Sequence, residues 1–208
     1  MSRRMPDGVR RQLRRRGRLR RWTLAGLLVL GLSAVLDRTG TFRYRGDDWA
    51  AFDQKACLVT HVSDGDTIVV KRLDGGAETK VRLIGVDTPE LHSAAGGGSD
   101  YWAREAMRYT ADKTRGKSVT LRLETTNTRD RYKRLLAYVY VGDSDQLNLD
   151  LVRDGQGYAD RRFRHSMRSQ FEQAEAEARR RGRGLWKDVS ESQMPHWRRQ
   201  WLSHRHDN

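Results

Sequence analysis

Residues 56–90 read ACLVTHVSDGDTIVVKRLDGGAETKVRLIGVDTPE, three short apolar and β-branched runs separated by turn residues. The runs are Ala56 to Val62, Thr67 to Leu73 and Thr79 to Val86, each of a length and composition that predicts a strand. Asp74-Gly75-Gly76 between the second and third is a hairpin-turn signal. Two further runs, Ser118 to Leu123 and Leu135 to Val141, raise the expected count to five.

Working outward, Asp100 to Arg115 has helical spacing, with Trp102, Ala106, Tyr109 and Ala111 among charges and Gly116 as a stop. Leu147 to Arg153, closed by Gly155, and Ser166 to Arg181, closed by Gly182, read as two more helices. Three strands, a helix, two strands and then helices predict a mainly β, α+β fold. The expected architecture is a five-stranded Greek-key barrel of the OB type with about three α-helices; a Rossmann sheet needs a strand-helix alternation that is not sustained here. A chain of 208 residues with 37% hydrophobic content suits one such domain plus extensions. Cys57 is the single cysteine, which excludes an intrachain disulfide and any cysteine-based zinc cluster.

The extensions carry the charge. The formal net charge is +14, yet residues 1–36 account for +9, residues 37–160 for −1 and residues 161–208 for +6. The barrel is therefore near neutral, and bulk charge says little about a polyanionic partner. Residues 1–21 form an Arg-rich flank before Trp22 to Leu36, fifteen residues without a charge. That length is shorter than the roughly 20 residues that span a bilayer and close to the upper length of a signal-peptide core. No clear small-x-small cleavage site follows, which favours an apolar helix acting as an uncleaved signal anchor, with the arginines cytoplasmic and the rest of the chain extracytoplasmic. Cleavage to a secreted or periplasmic form is the alternative, and Arg20-Arg21 allows a twin-arginine export signal. Residues 37–54 read as a linker, and residues 189–208, with His196, Trp197, Trp201, His204 and His206, as a disordered or loosely docked tail. Arg161, Arg162, Arg164 and Arg168 could track a nucleic-acid backbone or simply begin a solvated helix.

Three strings carry chemistry: Asp64-Gly65-Asp66-Thr67; Arg82 with Asp87-Thr88-Pro89-Glu90; and Asp130-Arg131-Tyr132-Lys133-Arg134. A hairpin turning at 74–77 places Asp66 opposite Gly85, beside Asp87. Converging carboxylates repel unless a cation lies between them, and a pair of oxygen ligands with no His or Cys cluster suits a hard divalent ion. Backbone carbonyls near Thr88 and water could complete the shell. Pro89 fixes the backbone before Glu90, a carboxylate placed to take a proton from water. Phosphodiester cleavage also needs donors for charge building on the phosphoryl oxygens, which Arg82 and Arg134 can supply as planar forks. Five residues of straight strand from Arg82 to Asp87 span roughly 16 Å, so the strand must bend, and Gly85 is the place for it.

These strings resemble the signature motifs of staphylococcal nuclease and its relatives over about residues 55–188, ending at Gly184-Leu185-Trp186. The resemblance implies an OB barrel that hydrolyses DNA and RNA with one calcium ion and leaves 3′-phosphate ends. By the same carry-over Asp66 and Asp87 are the metal carboxylates, Thr88 the carbonyl ligand and Glu90 the general base. Arg82 and Arg134 are the phosphate-binding arginines, and Tyr132 lies beside the nucleotide. Lys133 stands where the family usually has Gly, and the Gly-rich loop after Glu90 lacks the expected lysines. The rival to a nuclease is a non-catalytic OB module that binds nucleic acid or a protein partner at the membrane.

Overall fold

A computed structural model describes residues 46–91, 98–124, 127–142 and 144–206. The Arg-rich flank, the apolar segment 22–36 and the first part of the expected linker lie outside these residues. No described helix is long and apolar enough to cross a membrane.

In chain order the elements are helix α1 (Gly46–Phe52) and strands β1 (Ala56–Asp64), β2 (Thr67–Arg72), β3 (Thr79–Leu83) and β4 (Val86–Asp87). Helix α2 (Ala103–Thr114) and strands β5 (Ser118–Arg122), β6 (Leu135–Val141) and β7 (Asp145–Gln146) follow. Helix α3 (Leu147–Arg153), strand β8 (Tyr158–Ala159), helix α4 (Arg168–Arg180), two short 3-10 turns and helix α5 (His196–His206) complete the chain. The main sheet runs β3-β2-β1-β5-β6-β7, and a parallel pairing of β3 with β6 closes five of its strands into a barrel. The expected OB-like barrel is the one observed.

Alternation sets the inside and outside of that barrel. Ile68 and Val70 on β2, Val81 and Leu83 on β3, and Leu121 and Leu135 on the far wall are fully buried, as is Cys57 on β1. Thr67 on β2 pairs with Arg82 on β3 on the opposite, outward face. This register puts Leu83, not the expected Gly85, across from Asp66, with the Leu83 amide donating to the Asp66 carbonyl at 2.9 Å. The hairpin is centred at Asp74 and Gly75, one residue earlier than expected. Because the slip between the strands is two residues, every side chain keeps its face.

Residues 46–52 fall within the stretch expected as a linker, yet they form α1. Only Trp49 and Phe52, three residues apart, pack on the barrel, too few for a periodic signal. Polar contacts complete the docking: Asp48 accepts from the Thr128 hydroxyl at 2.6 Å and from the Arg129 guanidinium at 2.7 Å. Asp53 accepts from the Leu123 amide at 2.8 Å.

The loosely docked tail expected over residues 189–208 is corrected by α5. Its anchor is a charge: Arg198, fully buried, donates to both carboxylate oxygens of Glu175 on α4 at 2.7 and 3.0 Å. The guanidinium lies 5.0 Å from the ring centres of both Tyr158 and Trp186. A helix held by a buried arginine between aromatic faces shows no apolar stripe, so hydrophobic periodicity does not reveal it.

Candidate active site

Beyond Leu83 the backbone turns at Gly85, whose φ of +81° is a left-handed conformation that glycine adopts without strain. A side chain there would also meet His165, whose Cε1 lies 2.7 Å from an ideal Cβ. Asn148 at the start of α3 holds the bend from inside. Its amide nitrogen donates to the carbonyls of Ile84 and Ala137 at 2.9 and 3.1 Å, and its oxygen accepts from the Val139 amide at 2.9 Å. The bend brings Asp87 back over Arg82, whose Nη2 donates to Asp87 Oδ1 at 2.6 Å and to the Val86 carbonyl at 3.2 Å.

Asp66 reaches the same guanidinium from the β1–β2 turn. Gly65 is required there by close approach, since an ideal Cβ would lie 2.7 Å from the Thr88 hydroxyl oxygen and 2.9 Å from Ala106. The Thr110 hydroxyl of α2 donates to the Gly65 carbonyl at 2.6 Å and pins the turn. Asp66 is fully buried; its Oδ2 accepts from the Thr88 amide at 2.8 Å. Its Oδ1 accepts from Thr67 Oγ1 at 3.0 Å and pairs with Arg82 Nη1.

Asp87 is held from three sides. Its Oδ1 takes Arg82 and also Arg162 Nη2 at 2.8 Å, while Oδ2 accepts from the indole N–H of Trp197 at 2.7 Å. Burial alone pushes its pKa up, but the charges of Arg82 and Arg162 and the Trp197 hydrogen bond outweigh it, and Asp87 lies below the usual carboxylate range. Asp66 goes the other way: burial dominates, Arg82 offsets part of it, and the negative charge of Asp87 adds to the rise.

Glu90 stands at the rim, exposed on one side to solvent. Its backbone is fixed by Asp100, which accepts from the Glu90 amide at 3.2 Å and donates its own amide to the Glu90 carbonyl at 2.9 Å. Partial burial of the carboxyl, then its hydrogen bond with Asp64 and the charge of Asp64, push Glu90 up to about 8. Asp64 is raised as well, first by burial and then by Asp66. The two neighbouring carboxyls raise Glu90 toward neutral pH, the range in which a general base works best.

Arg134 approaches from the loop before β6. Asp130 grips its Nε and Nη2, each at 2.7 Å, which aims Nη1 at Thr67 Oγ1, 3.4 Å away and next to Asp66. Tyr132 is 64% exposed, with Arg134 5.4 Å from its ring centre. Lys133 between them has φ of +62°, so the lysine accepts the left-handed conformation that a glycine would take freely.

Asp66, Asp87, Thr88, Arg82, Glu90, Arg134 and Tyr132 thus gather on one outer face of the barrel. Among the described residues no group of three or more His, Cys, Asp or Glu side chains is arranged as a ready metal cage. The acids present are nonetheless an all-oxygen pair sharing one cation, the Arg82 guanidinium, beside the main chain of Thr88. The Thr88 hydroxyl is buried with no hydrogen-bond partner among the described residues. Such a donor set fits a hard divalent ion and offers nothing to a thiophilic one.

Three contributors escaped sequence reasoning. Asp64 was inside a quoted string, and its partnership with Glu90 was the missing signal. Arg162 pairs with Asp87 and Asp160, a contact its own segment does not announce. Arg161 and Arg168 likewise pair with acids of the chain itself, Glu175 and Glu172. Trp197 lies 110 residues from Asp87, and no local pattern announces the contact.

A family model described as "Staphylococcal nuclease homologue" matches residues 80–188. An uncharacterized endonuclease of Haemophilus influenzae is 32% identical over 148 residues, covering 71% of this chain and 75% of its own. The thermonuclease of Staphylococcus intermedius is 31% identical, with 77% of this chain and 95% of its own covered. For the micrococcal nuclease of Shigella flexneri the identity is 33% and the shares are 73% and 83%.

Proposed function

The chain belongs to the staphylococcal nuclease family and is a nuclease that hydrolyses phosphodiester bonds, and from that premise we propose a calcium-dependent reaction on DNA and RNA that leaves 3′-phosphate ends. The observation that carries this reading is the convergence of Asp66 and Asp87 on one cation at the outer face of the barrel.

Asp66, Asp87 and the Thr88 carbonyl would hold the calcium ion, which supplies positive charge to the scissile phosphate and lowers the cost of making hydroxide from water. Glu90, held at its backbone by Asp100, accepts the proton of the attacking water. Arg82 enters the same space with donors on both acids, and Arg134, oriented by Asp130, brings a second fork from the loop before β6. Together they meet the charge that grows on the phosphoryl oxygens in the transition state. Tyr132 offers an exposed ring beside Arg134 against which a base or sugar can rest.

The test is hydrolysis of single-stranded DNA, duplex DNA and RNA by the full chain with calcium, magnesium or chelator, beside Glu90→Gln and Arg134→Ala. Loss of a general base lowers the rate about 10²- to 10⁴-fold, and loss of one transition-state donor about 10²- to 10³-fold. Full activity in Glu90→Gln would remove the base from its role, and undiminished cleavage in chelator would remove the metal. A requirement for 3′-phosphatase before a polymerase can extend the products would establish the ends.

The ten arginines before residues 22–36 support a further reading, that this segment holds the nuclease on the outer side of a membrane. Mass spectrometry of the mature N-terminus together with protease access in intact cells tests it: a cleaved, freely released protein excludes the anchor.

A further inference from the structure

We infer that Trp197 is a positioning residue for Asp87, so that the working site of this nuclease includes helix α5, beyond the stretch that the family model matches. The inference rests on the reading of Asp66 and Asp87 as the metal carboxylates.

The two acids are built alike. Each turns Oδ1 toward the shared Arg82 guanidinium, and each has Oδ2 tied back by an N–H donor. For Asp66 the donor is the Thr88 amide, at 2.8 Å, supplied by the barrel's own main chain. For Asp87 the donor is the Trp197 indole, at 2.7 Å, supplied by the C-terminal helix. A carboxylate with one oxygen restrained cannot rotate away from a cation facing the other, and donors behind ligating groups fix their orientation in this way.

Indole suits the task chemically. It donates one hydrogen bond and accepts none, carries no charge and loses no proton at working pH, so it restrains Asp87 without competing for the cation. Its ring also seats the Arg162 guanidinium, 4.9 Å from the ring centre, and that same Arg162 reaches Asp87 Oδ1. The placement of the indole is not left to a mobile tail. Arg198, the next residue, is fully buried in its two-point pair with Glu175, and Arg161 lies 3.9 Å from the ring centre of Trp201 one turn on. The helix is thus clamped at two points within the turn that follows Trp197.

Trp197→Phe keeps the ring and removes the N–H. Calcium binding by the full chain, followed by titration calorimetry, is compared among wild type, Trp197→Phe, Trp201→Phe and Asp87→Asn, with near-ultraviolet spectra reporting the fold. Trp197→Phe is expected to weaken calcium binding about 10- to 100-fold, while Trp201→Phe, on the same helix but away from Asp87, binds as wild type does. Equal binding by Trp197→Phe and wild type, with Asp87→Asn impaired, overturns the positioning role and leaves the acid pair intact. Equal weakening in both tryptophan variants overturns it too, since helix docking and not the N–H would be responsible. Wild type that binds no calcium, or Asp87→Asn that binds as tightly as wild type, brings down the acid-pair reading itself and the inference with it. A measurement on the unaltered protein stands apart from any folding defect: the Trp197 indole N–H resonance must shift as calcium is added, and indifference to calcium refutes the proposal.

Discussion

Replacing Asn148 with Leu removes three hydrogen bonds at once from the point where the strand bearing Arg82 turns toward Asp87. The side chain is fully buried, so water cannot stand in for it. Of the three main-chain partners, the Ala137 carbonyl keeps another donor, the Ile84 amide at 3.1 Å. The Val139 amide and the Ile84 carbonyl are left with no hydrogen bond in place of the one from Asn148. At about 1–3 kcal/mol for each orphaned buried group, Asn148→Leu destabilises the fold by roughly 2–6 kcal/mol, while the similar side-chain volume keeps the cavity contribution small. Urea unfolding followed by tryptophan fluorescence reads the change as a lowered midpoint at unchanged slope. A loss below about 1 kcal/mol would refute the reasoning, because it would mean that the Gly85 bend holds without its internal strut.

Lys133→Gly removes a lysine from left-handed backbone, which costs an L-residue about 1–2 kcal/mol, and adds unfolded-chain freedom worth about 0.5–1 kcal/mol against folding. A net gain of about 0.5–1 kcal/mol is expected in the urea midpoint, and a net loss would show that the lysine earns its place by a contact of its own. His165 is held below its ordinary pKa of 6.5 chiefly by burial, and its Nε2 has no acceptor among the described residues if it is protonated. The unfolded chain therefore takes up this proton more readily than the folded one. Stability from this group is complete above about pH 6.5 and declines as pH falls through that value toward the lower folded pKa. His165→Gln should flatten that part of the stability profile relative to wild type, and an unchanged slope would exclude His165 as its source.

The five strands were legible because β-branched runs bounded by Gly, Asp and Asn leave few alternatives, and the strand-to-helix order then limited the barrel type. Two of the three chemical strings were legible because Asp66, Asp87, Arg82 and Glu90 lie close in sequence around two turns, with Gly85 the residue able to fold the strand back. What stayed hidden was held by polar contacts at long range. Helix α1 presents only Trp49 and Phe52 to the barrel and depends on Asp48 for the rest. Helix α5 is anchored near its start by Arg198, a residue type whose ordinary place is the surface, so its burial could not be expected from its own segment. The contact of Trp197 with Asp87 is of the same kind, made by the residue next to the Arg198–Glu175 pair that seats the helix.

The parallel pairing of β3 with β6 has a temporal meaning. Val81 meets Leu135 and Leu83 meets Ala137 across a long intervening stretch of chain, the kind of non-local contact that forms late because loop closure must precede it. Arg82 is on one of these strands and Arg134 immediately precedes the other. These two arginines become neighbours only when the barrel shuts, so an incompletely folded chain carries the acids on one hairpin but not the paired arginines. The appearance of hydrolytic activity during refolding is therefore expected to track barrel closure itself.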